Sequence, residues 1–117
     1  MSQRKIIIDC DPGHDDAVAI LLALASPEAI DLLGITCVAG NAPLALTSTN
    51  ALRICELADQ PETPVYAGCA RPMVRDLVTA QNVHGHSGLD LPDGATLPDP
   101  TMKLQSEHAV TFIIETL

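Results

Sequence analysis

Aromatic residues are almost missing from this sequence: Tyr66 and Phe112 stand alone, and there is no tryptophan. Positive charge is also scarce, with 6 basic residues against 15 acidic ones and a net charge of -9. Nucleic-acid phosphates and anionic membrane surfaces would both be repelled. Cations and small neutral molecules suit such a chain better. The four cysteines, at 10, 37, 55 and 69, form no CxxC pair. No stretch near the amino terminus has the pattern of a secretion signal, so reduced thiols in a cytoplasmic protein are expected. No apolar run is long enough to span a bilayer.

What the sequence does have is an acidic cluster at a structural junction. Lys5 to Asp16 reads KIIIDCDPGHDD, where an apolar run leads into Asp9, Asp11, Asp15 and Asp16. In a strand, alternate side chains share a face. Ile6, Ile8 and Cys10 would then line one face, and Ile7, Asp9 and Asp11 the other. Pro12-Gly13 stops the strand, and Asp15-Asp16 open the segment AVAILLALA. That segment reads as a helix too apolar to face water on any side. The acids therefore fall at the carboxyl end of a strand and the start of a helix, the edge where open α/β sheets bind ligands. A single Asp there is ordinary helix capping. Four carboxylates within eight residues repel one another, which points instead to a catalytic or metal site. Oxygen-only ligands suit Ca²⁺ or Mg²⁺ rather than zinc.

Strand and helix patterns alternate through the first half. Strands are expected near 5–10, 30–39 and 64–67, with helices near 15–25 and from Pro43 to Ala58. On the second helix, Leu46, Asn50, Ile54 and Leu57 would share one stripe. This βαβαβ order implies a Rossmann-like α/β fold with a mostly parallel open sheet. From Ala70 to Pro100, prolines and glycines interrupt every pattern, and a connection of that length is more often functional than a spacer. A final amphipathic helix is expected from Glu107 to Leu117. A parallel sheet this small leaves an edge and a face uncovered. Residues 1–117 are therefore expected to be the N-terminal part of a larger single domain.

Two further stretches invite chemistry. Asn41 follows Gly40 at the end of the second strand, on the same edge as Asp11. Its amide suits a hydroxyl partner, and equally an ordinary turn. His84-Gly85-His86 lies in a loop of small residues, which reads either as a lid bearing a proton donor or as a solvated surface loop.

These residues also carry a family resemblance. DCDPGHDDA after an apolar strand resembles the opening fingerprint of the inosine-uridine-preferring nucleoside hydrolases. VAGN at 38–41, AGCARPMVR at 67–75 and NVHGHSGLD at 82–90 follow in that family's order. The resemblance implies Ca²⁺-dependent cleavage of the N-glycosidic bond of ribonucleosides, giving ribose and free base. It implies that Asp11 is the general base and a calcium ligand, and that Asp16 is a second calcium ligand. Asp15 and Asn41 match positions that bind ribose hydroxyls, and His84 matches a loop histidine beside the substrate. Homo-oligomers, dimers or tetramers, are the family's habit. His86 stands where many members have Glu. The other calcium ligands and a second histidine belong to segments beyond Leu117, so the 117 residues alone are expected to bind calcium weakly and be inactive. Two rival readings remain at this point. A strand ending in Asp-x-Asp also opens the Mg²⁺-dependent haloacid-dehalogenase-like phosphatases, although Gly13 fits that pattern poorly. A calcium-binding module or truncated product without catalysis is the other.

Overall fold

The computed structural model describes residues 2–117. Three parallel strands form one sheet in the order β1 (Arg4–Cys10), β2 (Ile30–Cys37), β3 (Val65–Ala67). Helix α1 (His14–Leu24) connects the first two strands and α2 (Leu44–Leu57) connects the second and third. The α/β class, the parallel sheet and the βαβαβ order are those read from the sequence. Register runs from Arg4↔Ile30 to Cys10↔Cys37 and shifts between Ile6 and Ile7, so that Leu33 is passed over. Both strands run out together at Cys10 and Cys37, which places Asp11 and the 38–41 turn side by side.

One face of the sheet carries the core. Ile35, Cys37 and Val65 are buried there against Ile20 of α1 and Ala51 and Ile54 of α2. All four cysteines are free thiols, three of them buried. Burial pushes the Cys55 thiol up to about 11, and the neighbouring Cys37 together with burial holds Cys10 far above the usual range. Such thiols are unreactive.

Two helix expectations fail for geometric reasons. Helix α1 is not enclosed on all sides: Ile20 and Ala23 are buried, whereas Val18 and Leu22 are each 66% exposed. Those two residues, one turn apart, lie on the side turned away from β2 and α2. In α2 the buried face runs through Thr47, Ser48, Ala51, Ile54 and Cys55. Leu57 falls roughly 120° from the centre of that face at about 100° per residue, and it is 61% exposed.

Beyond β3 the chain is mostly irregular. It contains one helical turn, α3 (Gln81–His84), and closes with α4 (Ala109–Thr116). His108 caps α4, its Nδ1 accepting from the Val110 N–H at 3.1 Å. That helix sits on the other face of the sheet, where Phe112 stacks on Tyr66 with ring centroids 3.9 Å apart. Gly34 makes this possible, because a Cβ there would lie 2.8 Å from Phe112. Beside α4 a groove of about 440 Å³ is lined by Ile7, Asp9, Leu33, Ile113 and Leu117 among others. None of the helices formed by the described residues is long and apolar enough to cross a membrane.

Candidate active site at the carboxyl edge of the sheet

Where β1 ends, the backbone turns through Pro12 and Gly13 into α1. The Gly13 carbonyl accepts the first helical bond, from the Ala17 N–H at 3.0 Å. Asp15 and Asp16 fall in the first turn of α1, where the unpaired N–H groups and helix dipole favour negative charge. Asp16 turns back toward the strand, and its Oδ2 accepts from the Asp11 N–H at 3.2 Å. Burial holds the Asp16 carboxyl above its ordinary range, and the charges of Asp15 and Asp11 add to that rise. Asp15 stays exposed.

The 38–41 turn locks Asp11 from the other side. Asp11 Oδ2 accepts from the Asn41 backbone N–H at 2.8 Å, and the Asn41 amide Nδ2 donates to the Asp11 carbonyl at 2.8 Å. Asn41 therefore keeps Oδ1 as its free acceptor. Gly40 passes so close to the Asp11 carboxylate that a Cβ there would overlap it. The glycine and asparagine of VAGN thus do separate jobs, close approach and reciprocal hydrogen bonding.

Asp9 does not belong to this cluster. Its carboxylate accepts from Thr36 Oγ1 at 2.7 Å and it lines the groove beside α4. The four-carboxylate group read from the sequence is three at the edge, with Asp9 apart.

His84 reaches the same edge from α3. Its Nδ1 lies 3.2 Å from the His14 backbone N–H, next to Gly13, where a Cβ would come within 2.6 Å of it. The segment around it is more structured than an open loop. Gly85 and Gly88 adopt positive φ, +85° and +82°, which glycine does without strain. The turn wraps Asp90, whose carboxylate accepts from the His86 and Ser87 N–H groups and from Ser87 Oγ. The Ser87 hydroxyl, with these amides, holds Asp90 below the usual carboxylate range. Asn50, fully buried, ties the segment to the turn: its Nδ2 donates to Ser87 O at 2.9 Å and to Pro12 O at 3.2 Å. His86 is exposed and its ring makes no hydrogen bond among the described residues.

Sequence reasoning singled out Asp11, Asp15, Asp16, Asn41 and His84, and the structure places all five around the β1–α1 turn. It missed His14, Ser87 and Asp90, and it took Asn50 for part of an ordinary stripe. A polar residue among apolar neighbours on α2 was the available signal for Asn50.

Residues 6–117 match the sequence profile described as inosine-uridine preferring nucleoside hydrolase. The chain belongs to that family. It is 50% identical over 117 residues to the pyrimidine-specific ribonucleoside hydrolase RihB of Escherichia coli, covering 100% of this chain and 36% of that protein. An uncharacterised protein of Schizosaccharomyces pombe is 56% identical over 113 residues, 97% of this chain and 35% of its own length. Among solved structures, a purine-preferring ribonucleoside hydrolase from Gardnerella vaginalis superposes with a TM-score of 0.85 at 37% identity. That match covers 97% of this chain and 36% of the other. The chain thus spans about a third of the length of the relatives it matches.

For this nucleoside hydrolase family chain, the phosphatase-like reading is set aside by the family match. Its Asp-x-Asp pair does not act as a unit either, since Asp9 bonds Thr36 away from Asp11. The donors fit a hard cation in kind, since Asp11 and Asp16 offer carboxylate oxygens side by side before and in the first turn of α1. They do not complete one, because among the described residues no group of three or more His, Cys, Asp or Glu side chains converges on a metal position.

Proposed function

We propose that residues 1–117 form the amino-terminal part of a single nucleoside hydrolase domain that cleaves the N-glycosidic bond of ribonucleosides with bound Ca²⁺. The observation that carries this reading is the Asp11–Asn41 lock beside Asp16, at the ligand-binding edge of a chain that belongs to this family. Asp11 and Asp16 would hold the ion, with further ligands from outside this segment. Calcium, when bound, supplies positive charge to the paired carboxylates and acidifies nearby water.

The chain's own residues supply the rest. Asp11 is the general base: with Oδ2 fixed by Asn41, its carboxylate takes a proton from the water that attacks the ribosyl carbon. The bond to the nucleobase breaks as that carbon gains oxocarbenium-like character, and the base leaves with the electron pair. Negative carboxylates around the sugar favour that developing positive charge. Asp15 and the free Oδ1 of Asn41 accept hydrogen bonds from ribose hydroxyls. His84 borders the substrate from α3. The cytoplasm and a dimeric or tetrameric assembly belong to the same reading, with no nucleic-acid or membrane partner.

The test is hydrolysis of inosine and uridine by the complete enzyme containing this chain, alongside elemental analysis of protein purified without chelator. One calcium per subunit and reducing sugar release are expected. Stoichiometric zinc, or tight calcium binding without ribose release, overturns the reading. The latter result would hand the case to a non-catalytic calcium-binding role.

A further inference from the structure

We propose that His14 is the residue that positions His84 and fixes its tautomer, so that His84 presents Nε2–H toward the substrate. The inference rests on the hydrolase reading above. The His14 backbone N–H can only donate, and it lies 3.2 Å from His84 Nδ1. That nitrogen must therefore offer its lone pair, which leaves the proton of a neutral imidazole on Nε2. The other ring nitrogen of His84, Nε2, is then a hydrogen-bond donor.

The side chain of His14 holds this arrangement from the other direction. Its ring stacks on His84 with centroids 5.3 Å apart and planes 24° from parallel. Its Nδ1 lies 3.2 Å from the same His84 Nδ1, and its Nε2 lies 2.7 Å from the Asp90 carbonyl. A carbonyl only accepts, so His14 Nε2 carries a proton. With that proton on Nε2, the His14 ring meets His84 by stacking and gives its hydrogen bond to the Asp90 carbonyl.

His14 thereby grips the 84–90 segment at two points, one ring and one carbonyl. Asn50 secures only backbone, at Ser87 and Pro12. Among the described residues, His14 alone makes hydrogen-bond contact with the His84 ring. Gly13 allows the approach, since a Cβ would lie 2.6 Å from His84 Nδ1 and 2.9 Å from Asn41 Nδ2. His84 is thus placed against the same turn that carries Asp11. Without the His14 ring, one long backbone bond would be left to orient it.

The experiment uses the complete enzyme, ¹⁵N-labelled, with histidine ring nitrogens read by NMR and kinetics measured on uridine and inosine. His84 is expected to carry its proton on Nε2. His14→Ala keeps the backbone N–H that faces His84 Nδ1, so the Nε2 proton should stay in place, while loss of the ring's contacts with His84 and Asp90 should lower kcat/KM roughly tenfold, the scale of one or two lost hydrogen bonds. His14→Gln, which keeps a terminal N–H donor, should recover most of that loss. The His14→Ala, His84→Ala double variant should be no worse than His84→Ala alone, because a positioning residue has nothing left to position. A proton on His84 Nδ1, or additive losses in the double variant, overturns the proposal. A wild-type enzyme that cleaves no ribonucleoside overturns the hydrolase reading and the role with it. The tautomer signal, intact in that case, tells this failure from an error of geometry.

Discussion

Asp11 sits where a strand of the parallel sheet runs out, whereas His84 ends a single helical turn in a segment with almost no regular structure. The two meet within one hydrogen bond of the same turn, but different forces hold them. Asp11 is placed by the sheet: β1 and β2 are in register to Cys10↔Cys37, so the Asn41 turn has nowhere else to go. His84 is placed by side chains that reach backbone, namely Asn50 to the Ser87 carbonyl, His14 to the Asp90 carbonyl and the Asp90 carboxylate to the His86 and Ser87 N–H groups. An element held by ladder hydrogen bonds and core burial opens only with the whole fold, while a segment held by a few polar contacts opens locally. The difference suits the proposed function, which needs a rigid centre beside a cover that admits substrate.

Removing the proposed base, Asp11, should give the largest effect. Asp11→Asn keeps size and one oxygen ligand, yet kcat of the complete enzyme should fall roughly a hundred- to ten-thousand-fold, the usual range for losing such a group. KM should change less, with calcium content unchanged by elemental analysis. Asp9→Asn sharpens the comparison, because its partner is Thr36 rather than Asn41. It should cost about 1 kcal/mol of stability in a denaturant titration and leave kcat within a few-fold. The reverse pattern would show that the carboxylate roles are misassigned.

The sugar-binding side comes next. If Asp15 and Asn41 grip ribose hydroxyls, a 2′-deoxynucleoside leaves their oxygens unpaired, and kcat/KM should drop by roughly a hundredfold or more. Equal rates for uridine and its deoxy analogue would refute that assignment. Asn50→Leu tests the other region. It strips donors from Pro12 O and Ser87 O in a buried site, and should cost roughly 2 kcal/mol. Hydrogen exchange should speed up first at residues 84–90, with β1 and β2 amides following only on global unfolding.

The smallest effect is a pH dependence confined to that segment. The folded protein holds Asp90 below its ordinary value of 3.8, so its contribution is complete above the unfolded value. It is lost as pH falls below about 3.8 and through the lowered folded value. Amide exchange at His86 and Ser87 should therefore accelerate in that acid window, and Asp90→Asn should abolish the dependence.

The sequence alone determined the α/β class, the order of strands and helices, and the edge on which Asp11, Asp15, Asp16 and Asn41 gather. Each rests on local signals: an apolar run stopped by Pro12-Gly13, acids at a helix start, Gly40-Asn41 closing the second strand. The family fingerprint is equally local, since it lies in contiguous residues. Tertiary structure alone decided that Asp9 leaves the acidic group for Thr36, because strand alternation does not say which neighbour a side chain finds. It decided that Val18, Leu22 and Leu57 face outward, since hydropathy records a preference for burial and not the number of faces a neighbour covers. The pairing of His14 with His84 and of Asn50 with Ser87 joins residues 70 and 37 positions apart. No periodicity within either segment encodes such a contact; it follows from how the segment beyond β3 folds back over the β1–α1 turn.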